Sequence, residues 1–250
     1  MTFKINITDD LLIGMANFAN EALFNWQKRW YAQRFTRNRS LHKARSIGAD
    51  FYFTFEALQD ACLTGRNKVF IECAPVDKDE IFVSMALSYL VNHVAQFDGR
   101  AIERDLHSTG RCIEISNGAK IYFLPENNPC CAGIVGDVYV SEWAFYANPR
   151  RAFTIVEGVA CHDGWRKTTY SSRMTGDNGH VPAHLIFGDR RLFNGTVYLD
   201  TVPCVSSEMN GLLRDGFPKD VRRHFPEGEK GDRAFRETYL CQQPIHKAVR

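Results

Sequence analysis

The sequence predicts an α/β protein built around a mostly parallel sheet, and three observations support this prediction. Short apolar runs typical of strands alternate with longer helical patterns between residues 51 and 172, as happens when helices connect parallel strands. Of the 250 residues, 44% are hydrophobic and 24% are charged, which is the composition of an ordinary globular protein. A chain of this length buries most of its apolar surface without a disulfide or a structural metal.

The first region, roughly residues 8–35, reads as helical and amphipathic. Its apolar side chains recur at spacings of three and four, which is the period of a helix with one buried face. Thr8 supplies a cap, and Asp9 and Asp10 place negative charge in the first turn. A short polar link, residues 36–40, follows it.

The next elements alternate between helix and strand. A helix is expected over residues 51–63, and it ends at Thr64 and Gly65 because glycine favours helix termination. Residues 68–74 read as a strand, and residues 77–97 read as a long helix that opens with acidic side chains.

A hairpin and three further elements complete the alternating region. Residues 111–116 and 120–126 flank an Asn-Gly pair, which is a strong signal for a tight turn between two strands. The elements after it are a strand over 137–143, a helix over 149–161 and a strand over 166–172. In such sheets ligands bind at the carboxyl ends of the strands.

The amino-acid composition of the chain changes after about residue 176. Glycine, aspartate, arginine and proline become frequent, one clear strand remains at 196–203, and residues 208–225 are weakly helical. We therefore expect a first domain over residues 1–176 and a small appendage over residues 177–250.

Composition excludes several classes of protein. The formal net charge of +2 rules out a histone-like polycation, no secretory signal is visible at the N-terminus, and the longest apolar stretch, 81–97, is too short and polar to span a bilayer. The eight cysteines form no CxxC pair and read as reduced thiols of a cytosolic protein. A zinc site remains the alternative for the group Cys130, Cys131, Cys161 and His162, although vicinal cysteines suit tetrahedral chelation poorly.

The segment HKARSIGAD (42–50) is a candidate phosphate loop, and we use this term for these residues below. A phosphate site needs backbone N–H groups, a cationic side chain and a helix N-terminus. Compared with the usual G-x-x-x-x-G-K-[ST] motif, only Gly48 remains, Ala49 stands in the place of the lysine, and Lys43 and Arg45 supply the charge. An ordinary basic turn between a strand and a helix is the alternative.

Three further segments carry possible chemistry. Glu142 ends a buried strand, where a carboxylate can activate water. Gln27 precedes the phosphate loop and its amide can read an adenine edge, with Trp26, Trp30 or Tyr31 available for stacking. A strand ends in the hydroxyls of Ser171 and Ser172, which can sense a γ-phosphate. Each also has a plain alternative: a solvated edge glutamate, a solvent-facing glutamine and an ordinary strand end.

The order and spacing of these segments carry more information than any one of them. The string LFNWQKRWYAQRF, LHKARSIGADFYFTFEAL, TGRNKVFIECA, GDVYVSEWAF and GWRKTTYSS resembles the ATPase domain of the large terminase subunit of tailed bacteriophages, from about residue 20 to 175. The resemblance implies an ASCE-type, RecA-like P-loop ATPase core with a helical N-terminal segment.

The resemblance also implies roles for particular residues. Glu142, with Arg45, would be catalytic, and Ser171 and Ser172 would form the motif that couples hydrolysis to movement. The nucleotide would be bound by Gln27, Lys43, Ser46, Gly48, Ala49 and Asp50.

Two positions depart from the family pattern. Asp50 occupies the position of the Ser or Thr whose hydroxyl meets magnesium, and Ser141 occupies the position of the aspartate before the catalytic glutamate. One ligand of each kind is kept, so Asp50 and Ser141 are expected to hold Mg²⁺ together. The departures also leave open a degenerate, non-hydrolysing module for assembly or DNA binding, left by a decayed prophage.

The expected function is that of a DNA-packaging ATPase in the host cytoplasm, using ATP and Mg²⁺. Its expected partners are double-stranded DNA, the terminase small subunit and the portal of the procapsid, with a homo-oligomeric ring as the active form and no membrane. The nuclease of terminase large subunits is expected to be absent, although Asp200 resembles its first aspartate. Clustered arginines are candidate DNA contacts: Arg34, Arg37, Arg39, Arg150 and Arg151.

Overall fold

A computed structural model gives the fold and describes residues 2–75, 81–105, 111–127, 133–172, 197–205, 207–213 and 217–242. Its strands are β1 (Thr2–Ile5), β2 (Asn38–Lys43), β3 (Lys68–Glu72), β4 (Ile102–Asp105), β5 (Cys112–Ile115), β6 (Lys120–Pro125), β7 (Asp137–Ser141), β8 (Lys167–Ser171) and β9 (Val197–Val202). Its helices are α1 (Asp9–Glu21), α2 (Asn25–Ala32), α3 (Ala49–Thr64), α4 (Met85–Asp98), α5 (Pro149–Val159), α6 (Phe217–Arg222) and α7 (Glu229–Tyr239). Short 3₁₀ turns occupy Gly99–Ala101 and Trp143–Phe145.

All these strands form one sheet in the order β4-β1-β5-β6-β3-β7-β8-β2-β9. The neighbouring strands in the run β6-β3-β7-β8-β2-β9 are all parallel, and β1 is parallel to β5. Only β1 with β4 and β5 with β6 are antiparallel within the described strands. Strand β8 lies between β2 and β7. The predicted α/β fold with a mostly parallel sheet is confirmed.

The sheet has helices on both faces. Successive residues of β3 and β7 point to opposite sides, as a pleated strand requires. Phe70 and Tyr139 join the core cluster under α1, α3 and α4, whereas Ile71, Val138 and Val140 join the cluster under α5. Burial on both faces explains why these strands are near-continuous apolar runs in the sequence.

The region predicted to be helical, residues 8–35, is helical and consists of two helices, α1 and α2. Thr8 caps α1 as predicted, with its Oγ1 accepting a hydrogen bond from the Leu11 N–H at 3.1 Å. Residues 22–24 separate the two helices, and α2 begins at Asn25. Leu23 and Trp26 are both buried across this break, so the apolar spacing continues and hides it.

Helix α4 begins at Met85, later than the predicted start at residue 77. Residues 76–80 lie outside the described part of the chain, and residues 81–84 are not helical. Glu72 accepts hydrogen bonds from the Met85 and Ala86 N–H groups, both at 3.0 Å, and Ser84 caps the helix. The negative charge at this helix N-terminus therefore comes from a neighbouring strand.

The link predicted over residues 36–40 contains the first half of strand β2, which the sequence conceals because its side chains are polar. Arg39 is 1% exposed and its guanidinium donates to Glu56 and to Thr168 Oγ1. Tyr52 and Tyr139 also donate hydroxyl hydrogen bonds to Glu56, at 2.8 and 3.1 Å. Buried charges are tolerated when they are paired and hydrogen-bonded. Arg39 is therefore unavailable to DNA, contrary to the prediction.

The part of the chain after residue 176 contributes to the sheet. Strand β9 pairs with β2 over Asn38–Lys43, where the sequence suggested only an appendage. Its Asp200 accepts a hydrogen bond from Trp30 Nε1 at 2.8 Å, which ties this strand to helix α2. The boundary at 176 falls within residues 173–196, outside the described part, and stays a prediction. Within 208–225, the described helix is the short α6.

The described residues bear on the predictions about membrane spans, cysteines and a zinc site. None of the helices in the described ranges has the length and apolarity needed to cross a bilayer. Cys62, Cys73, Cys112, Cys161 and Cys204 are free thiols. The alternative zinc group includes Cys130 and Cys131, which lie outside the description, and the described ranges contain no cluster of three His, Cys, Asp or Glu side chains suited to a metal.

Candidate nucleotide-binding site

The predicted site residues meet at one edge of the sheet. Strands β2, β7 and β8 are neighbours and parallel, so their carboxyl ends lie together. These ends are Lys43, Ser141 and Ser171. The phosphate loop then leads directly into the N-terminus of α3.

The backbone of the phosphate loop is fixed at its beginning by two hydrogen bonds. The Ala44 N–H donates to the Val202 carbonyl at 2.8 Å, and the Arg45 N–H donates to the Thr238 carbonyl at 3.1 Å. The loop then turns through positive φ values at Ser46 (+63°) and Gly48 (+74°). Glycine adopts this region without strain, whereas serine rarely does. Strand β9 and helix α7 thus help to set a strained turn.

The rest of the loop presents unsatisfied donors. In the described part of the chain, the N–H groups of Ser46, Ile47, Gly48 and Ala49 donate no hydrogen bond. Helix α3 is 16 residues long and begins at Ala49, so the positive end of its dipole lies at the same place. Consecutive free N–H groups at a helix N-terminus form a binding site for phosphate.

Lys43 and Glu142 form an ion pair beside these donors. Lys43 Nζ donates to Glu142 Oε1, and the Lys43 side chain is 5% exposed. Glu142 follows β7 in a left-handed conformation, with φ of +48°, which turns it out of the strand. The Ser172 N–H and Oγ both donate to its other oxygen at 3.0 Å. Ser171 Oγ lies 3.4 Å from the same oxygen.

The protonation of Glu142 is set by opposing effects. Burial raises the pKa of this carboxyl. The Lys43 ammonium and the hydrogen bonds from Ser172 together lower it by more than burial raises it, so the pKa lies below its ordinary value. The carboxylate is therefore ionised at neutral pH. Two hydroxyls and one N–H orient it toward the phosphate loop.

Asp50 and Ser141 are in direct contact. Ser141 Oγ donates to Asp50 Oδ1 at 2.7 Å, which joins the first turn of α3 to the end of β7. The geometry thus brings together the two residues that depart from the family pattern. Their oxygens are of the kinds that Mg²⁺ accepts.

Gln27 lies against the phosphate loop and is only 2% exposed, so the interpretation as a solvent-facing glutamine is wrong. Its Oε1 accepts from the Phe24 N–H at 2.9 Å, and its Nε2 lies 3.5 Å from the Gly48 carbonyl. Trp26 Nε1 donates to the Ile47 carbonyl at 3.2 Å. Trp26 and Trp30 are fully buried and pack in the core, where they cannot stack on a base.

Arg45 is exposed at the start of the phosphate loop. Its guanidinium carbon lies 5.8 Å from the centre of the Phe145 ring, which belongs to the 3₁₀ turn after Glu142. This cation–π distance places the charge at the mouth of the site.

Two contributors to the site were not foreseen from the sequence. The Thr238 carbonyl acts through its backbone, which leaves no residue signal. Glu72 ends β3 in a buried position beside β7, and its pKa is raised by burial and by the negative charge of Asp50. Its place at a strand end, like that of Glu142, is the sequence signal that indicates it. Among the arginines predicted to face DNA, nothing is described of the side chains of Arg150 and Arg151.

Comparison with known proteins identifies the family. The family described as "Terminase large subunit, T4likevirus-type, N-terminal" matches residues 41–182, more than half of the chain. The chain belongs to the terminase large subunit family. Its match contains the phosphate loop, Glu142, Ser171 and Ser172.

Two curated terminases show similarity in sequence. The "Probable terminase, ATPase subunit" of Haemophilus phage HP1 is 34% identical over 152 residues, which cover 61% of this chain and 23% of that protein. The "Terminase, ATPase subunit" of Escherichia phage P2 is 30% identical over 189 residues, covering 75% of this chain and 29% of that protein. This terminase chain thus spans about a quarter of the length of these relatives.

Solved terminase structures share the fold. The Thermus phage P74-26 large terminase ATPase domain aligns with a TM-score of 0.57 at 13% identity, covering 94% of this chain and 98% of that domain. The HK97 bacteriophage large terminase aligns with a TM-score of 0.59 at 10% identity, covering 93% of this chain and 55% of that one. The fold is that of the large terminase ATPase domain, with a RecA-like core.

Proposed function

We propose that this terminase chain is an ATPase of a phage DNA-packaging motor, which hydrolyses ATP to drive double-stranded DNA into a procapsid. The observation that carries the proposal is the row of free N–H groups in the phosphate loop beside the Lys43–Glu142 pair. The names of the HP1 and P2 relatives, both ATPase subunits, support it. A large terminase of similar fold from a thermophilic bacteriophage has been solved in complex with ADP.

The residues divide the work of binding. The N–H groups of Ser46, Ile47, Gly48 and Ala49 would wrap the phosphates. Lys43 would neutralise them, and Asp50 would act through its carboxylate. Gln27 borders the loop, where its amide would meet the adenine. Because its amide already bonds to Phe24, adenine would bind through the donor side of the amide.

The catalytic step would rest on Glu142 and Arg45. When Lys43 turns to the phosphates, Glu142 loses its nearest positive charge and stays partly buried, so its pKa rises toward that of a useful base. Glu142 would then orient and deprotonate water, and Arg45 would offset charge that develops at the mouth of the site. Ser171 and Ser172 hold Glu142 and would report its state along β8.

Asp50 and Ser141 fit a magnesium ion. They offer a carboxylate and a hydroxyl oxygen at the loop and the strand end, and both are hard ligands that Mg²⁺ accepts beside phosphate. Bound magnesium would neutralise charge on the β- and γ-phosphates.

The proposed partners follow from this activity. They are double-stranded DNA, the terminase small subunit and the portal of the procapsid, met in the host cytoplasm by a homo-oligomeric ring. The alternative of a degenerate, non-hydrolysing module finds no support in the names of the relatives.

Nucleotide titration tests the proposal. A fluorescent ATP analogue is titrated into the purified chain with and without Mg²⁺, and phosphate release is measured with and without DNA. Lys43→Ala should weaken binding about tenfold or more, because a charge-assisted hydrogen bond contributes about 1.5–3 kcal/mol. Lys28→Ala, which removes an exposed lysine of α2, is the matched control. Equal affinity of both variants, or no phosphate release under any condition, would contradict the proposal.

A further inference from the structure

An open cleft lies at the amino ends of the parallel strands, on the opposite side of the sheet from the phosphate loop at their carboxyl ends. Its volume is about 300 Å³, at the lower limit for small-ligand pockets. Arg37, Arg66 and Arg166 line it just before the first residues of β2, β3 and β8. Since these strands are parallel, the cleft is about 16 Å from the nucleotide site at the rise of an extended strand. It plays no part in the chemistry proposed above.

Most of the charge at the floor of this cleft is already paired. Asp137 accepts from Lys68 Nζ at 2.6 Å, from Arg66 Nε at 3.0 Å and from the Arg166 N–H at 2.9 Å. Asp60 accepts from Lys68 and Arg166. Both carboxylates are buried, so this part of the cleft is a fixed network with an excess of cations.

Arg37 differs, because its pairing is incomplete and replaceable. Its Nη2 lies 3.0 Å from Asp163, whose side chain is 98% exposed. Its Nε is buried and donates no hydrogen bond in the described part of the chain. A buried donor without a partner is costly, and the side chain as a whole is 35% exposed. A rotation of the guanidinium toward the cleft would therefore let one incoming carboxylate accept from both Nε and Nη2, the two-pronged geometry that arginine favours.

An exposed aromatic ring stands beside this arginine. Phe35 lines the cleft and is 64% exposed. The guanidinium carbons of Arg34 and Arg166 lie 4.4 and 5.7 Å from its ring centre. An apolar or aromatic group of a ligand would therefore find a ring that is already held in place.

We propose that this cleft binds an acidic peptide segment of a partner protein, with a carboxylate on Arg37 and an aromatic side chain against Phe35. A DNA backbone suits the cleft less well. Duplex DNA carries one charge per about 1.7 Å, and such a continuous row of phosphates would approach the carboxylates of Asp163 and Asp60. A peptide places a single carboxylate and a ring. The proposal does not rest on ATP hydrolysis.

Fluorescence anisotropy tests this site without nucleotide. The probe is a fluorescein-labelled peptide of alternating glutamate and phenylalanine, and the comparison peptide has glutamine in place of glutamate. A labelled DNA duplex forms a separate arm. Arg37→Ala should weaken peptide binding about tenfold. Asp163→Ala should strengthen it, because the competing carboxylate is removed from a fully exposed position where folding is unaffected.

Arg100→Ala is the matched control, because Arg100 is 82% exposed and lies on the side of the sheet next to β4. It should bind the acidic peptide as the unaltered chain does. The proposal is overturned by unsaturable binding, by equal affinity for the glutamine peptide, or by equal effects of the Arg37 and Arg100 changes. It is also overturned if the duplex binds the cleft more tightly than the peptide does and with the same dependence on Arg37.

Discussion

Glu142→Gln should remove hydrolysis and at the same time tighten ATP binding. The amide has the shape of the carboxylate and still accepts from Ser172, so the end of β7 keeps its geometry. It cannot take a proton from water, and loss of a general base costs on the order of 10²–10⁴ in rate. The affinity for ATP should rise because the carboxylate of Glu142 accepts a hydrogen bond from the Lys43 ammonium, which is the group proposed to bind the phosphates.

The size of the effect follows from that contact. The Glu142 side chain is 27% exposed and Lys43 is 5% exposed, so the pair is shielded from water on most sides. A hydrogen bond to a charged group contributes about 1.5–3 kcal/mol, and the amide retains the neutral part of it. A difference of about 1.4 kcal/mol corresponds to a tenfold change in affinity. We therefore expect ATP to bind about tenfold more tightly.

A double-mutant cycle isolates this interaction. ATP affinity is measured by titration calorimetry for the unaltered chain, Glu142→Gln, Lys43→Ala and the double variant. If Glu142 competes with phosphate for Lys43, the gain from Glu142→Gln should vanish once Lys43 is absent. Phosphate release is followed in the same preparations.

Two results would refute this reasoning. Unchanged or weaker ATP binding by Glu142→Gln would mean that the pair does not compete with phosphate. A gain that persists in the Lys43→Ala background would assign the effect to repulsion between Glu142 and the nucleotide and not to the release of Lys43.

Three further predictions concern the metal pair, a buried histidine and a buried ion pair. Combining Asp50→Thr with Ser141→Asp should retain or raise turnover, whereas Asp50→Ala alone should impair magnesium-dependent binding; magnesium titrations of the variants check both, and identical titrations would contradict the pairing. His93 is fully buried, and burial lowers its pKa to about 4. As the pH falls below about 6.5, the imidazole is therefore protonated in the unfolded chain while it stays neutral in the folded one. The free energy of unfolding should drop by about 3 kcal/mol between pH 7 and pH 4, and urea denaturation of His93→Gln should lack that component. Arg39→Met should destabilise the fold by about 3–5 kcal/mol because it strands the Glu56 carboxylate, and adding Glu56→Met should restore much of the loss in the same assay.

The fold was predictable where strands are apolar on both faces. Strands β3 and β7 read directly as buried runs, and the Asn-Gly turn indicated the β5–β6 hairpin. Strand β2 could not be read, because Arg39 and its neighbours are polar and become core only when Glu56 of α3 and Thr168 of β8 come together. A contact between residues far apart in the chain leaves no periodic signal.

The candidate site divides in the same way. The position of Glu142 could be predicted from the sequence because it follows the apolar strand β7, and that of Lys43 because it belongs to the phosphate loop. The proximity of Asp50 and Ser141 was expected from the family resemblance, whereas the ion pair between Lys43 and Glu142 becomes visible only through the order of strands in the sheet. The free N–H groups of the loop depend on backbone angles at Ser46 and Gly48, which sequence alone does not specify.

The two hydrogen bonds that hold the start of the phosphate loop have a consequence for exchange and for deletion. The amides of Ala44 and Arg45 should exchange slowly with deuterium, and those of the next four residues rapidly, so protection should end abruptly inside one loop. The Arg45 amide is protected by a carbonyl of α7. Removing residues from Glu229 onward would therefore expose this amide and loosen the turn at Ser46, so that a deletion near the end of the described chain would act on nucleotide affinity through a single peptide group.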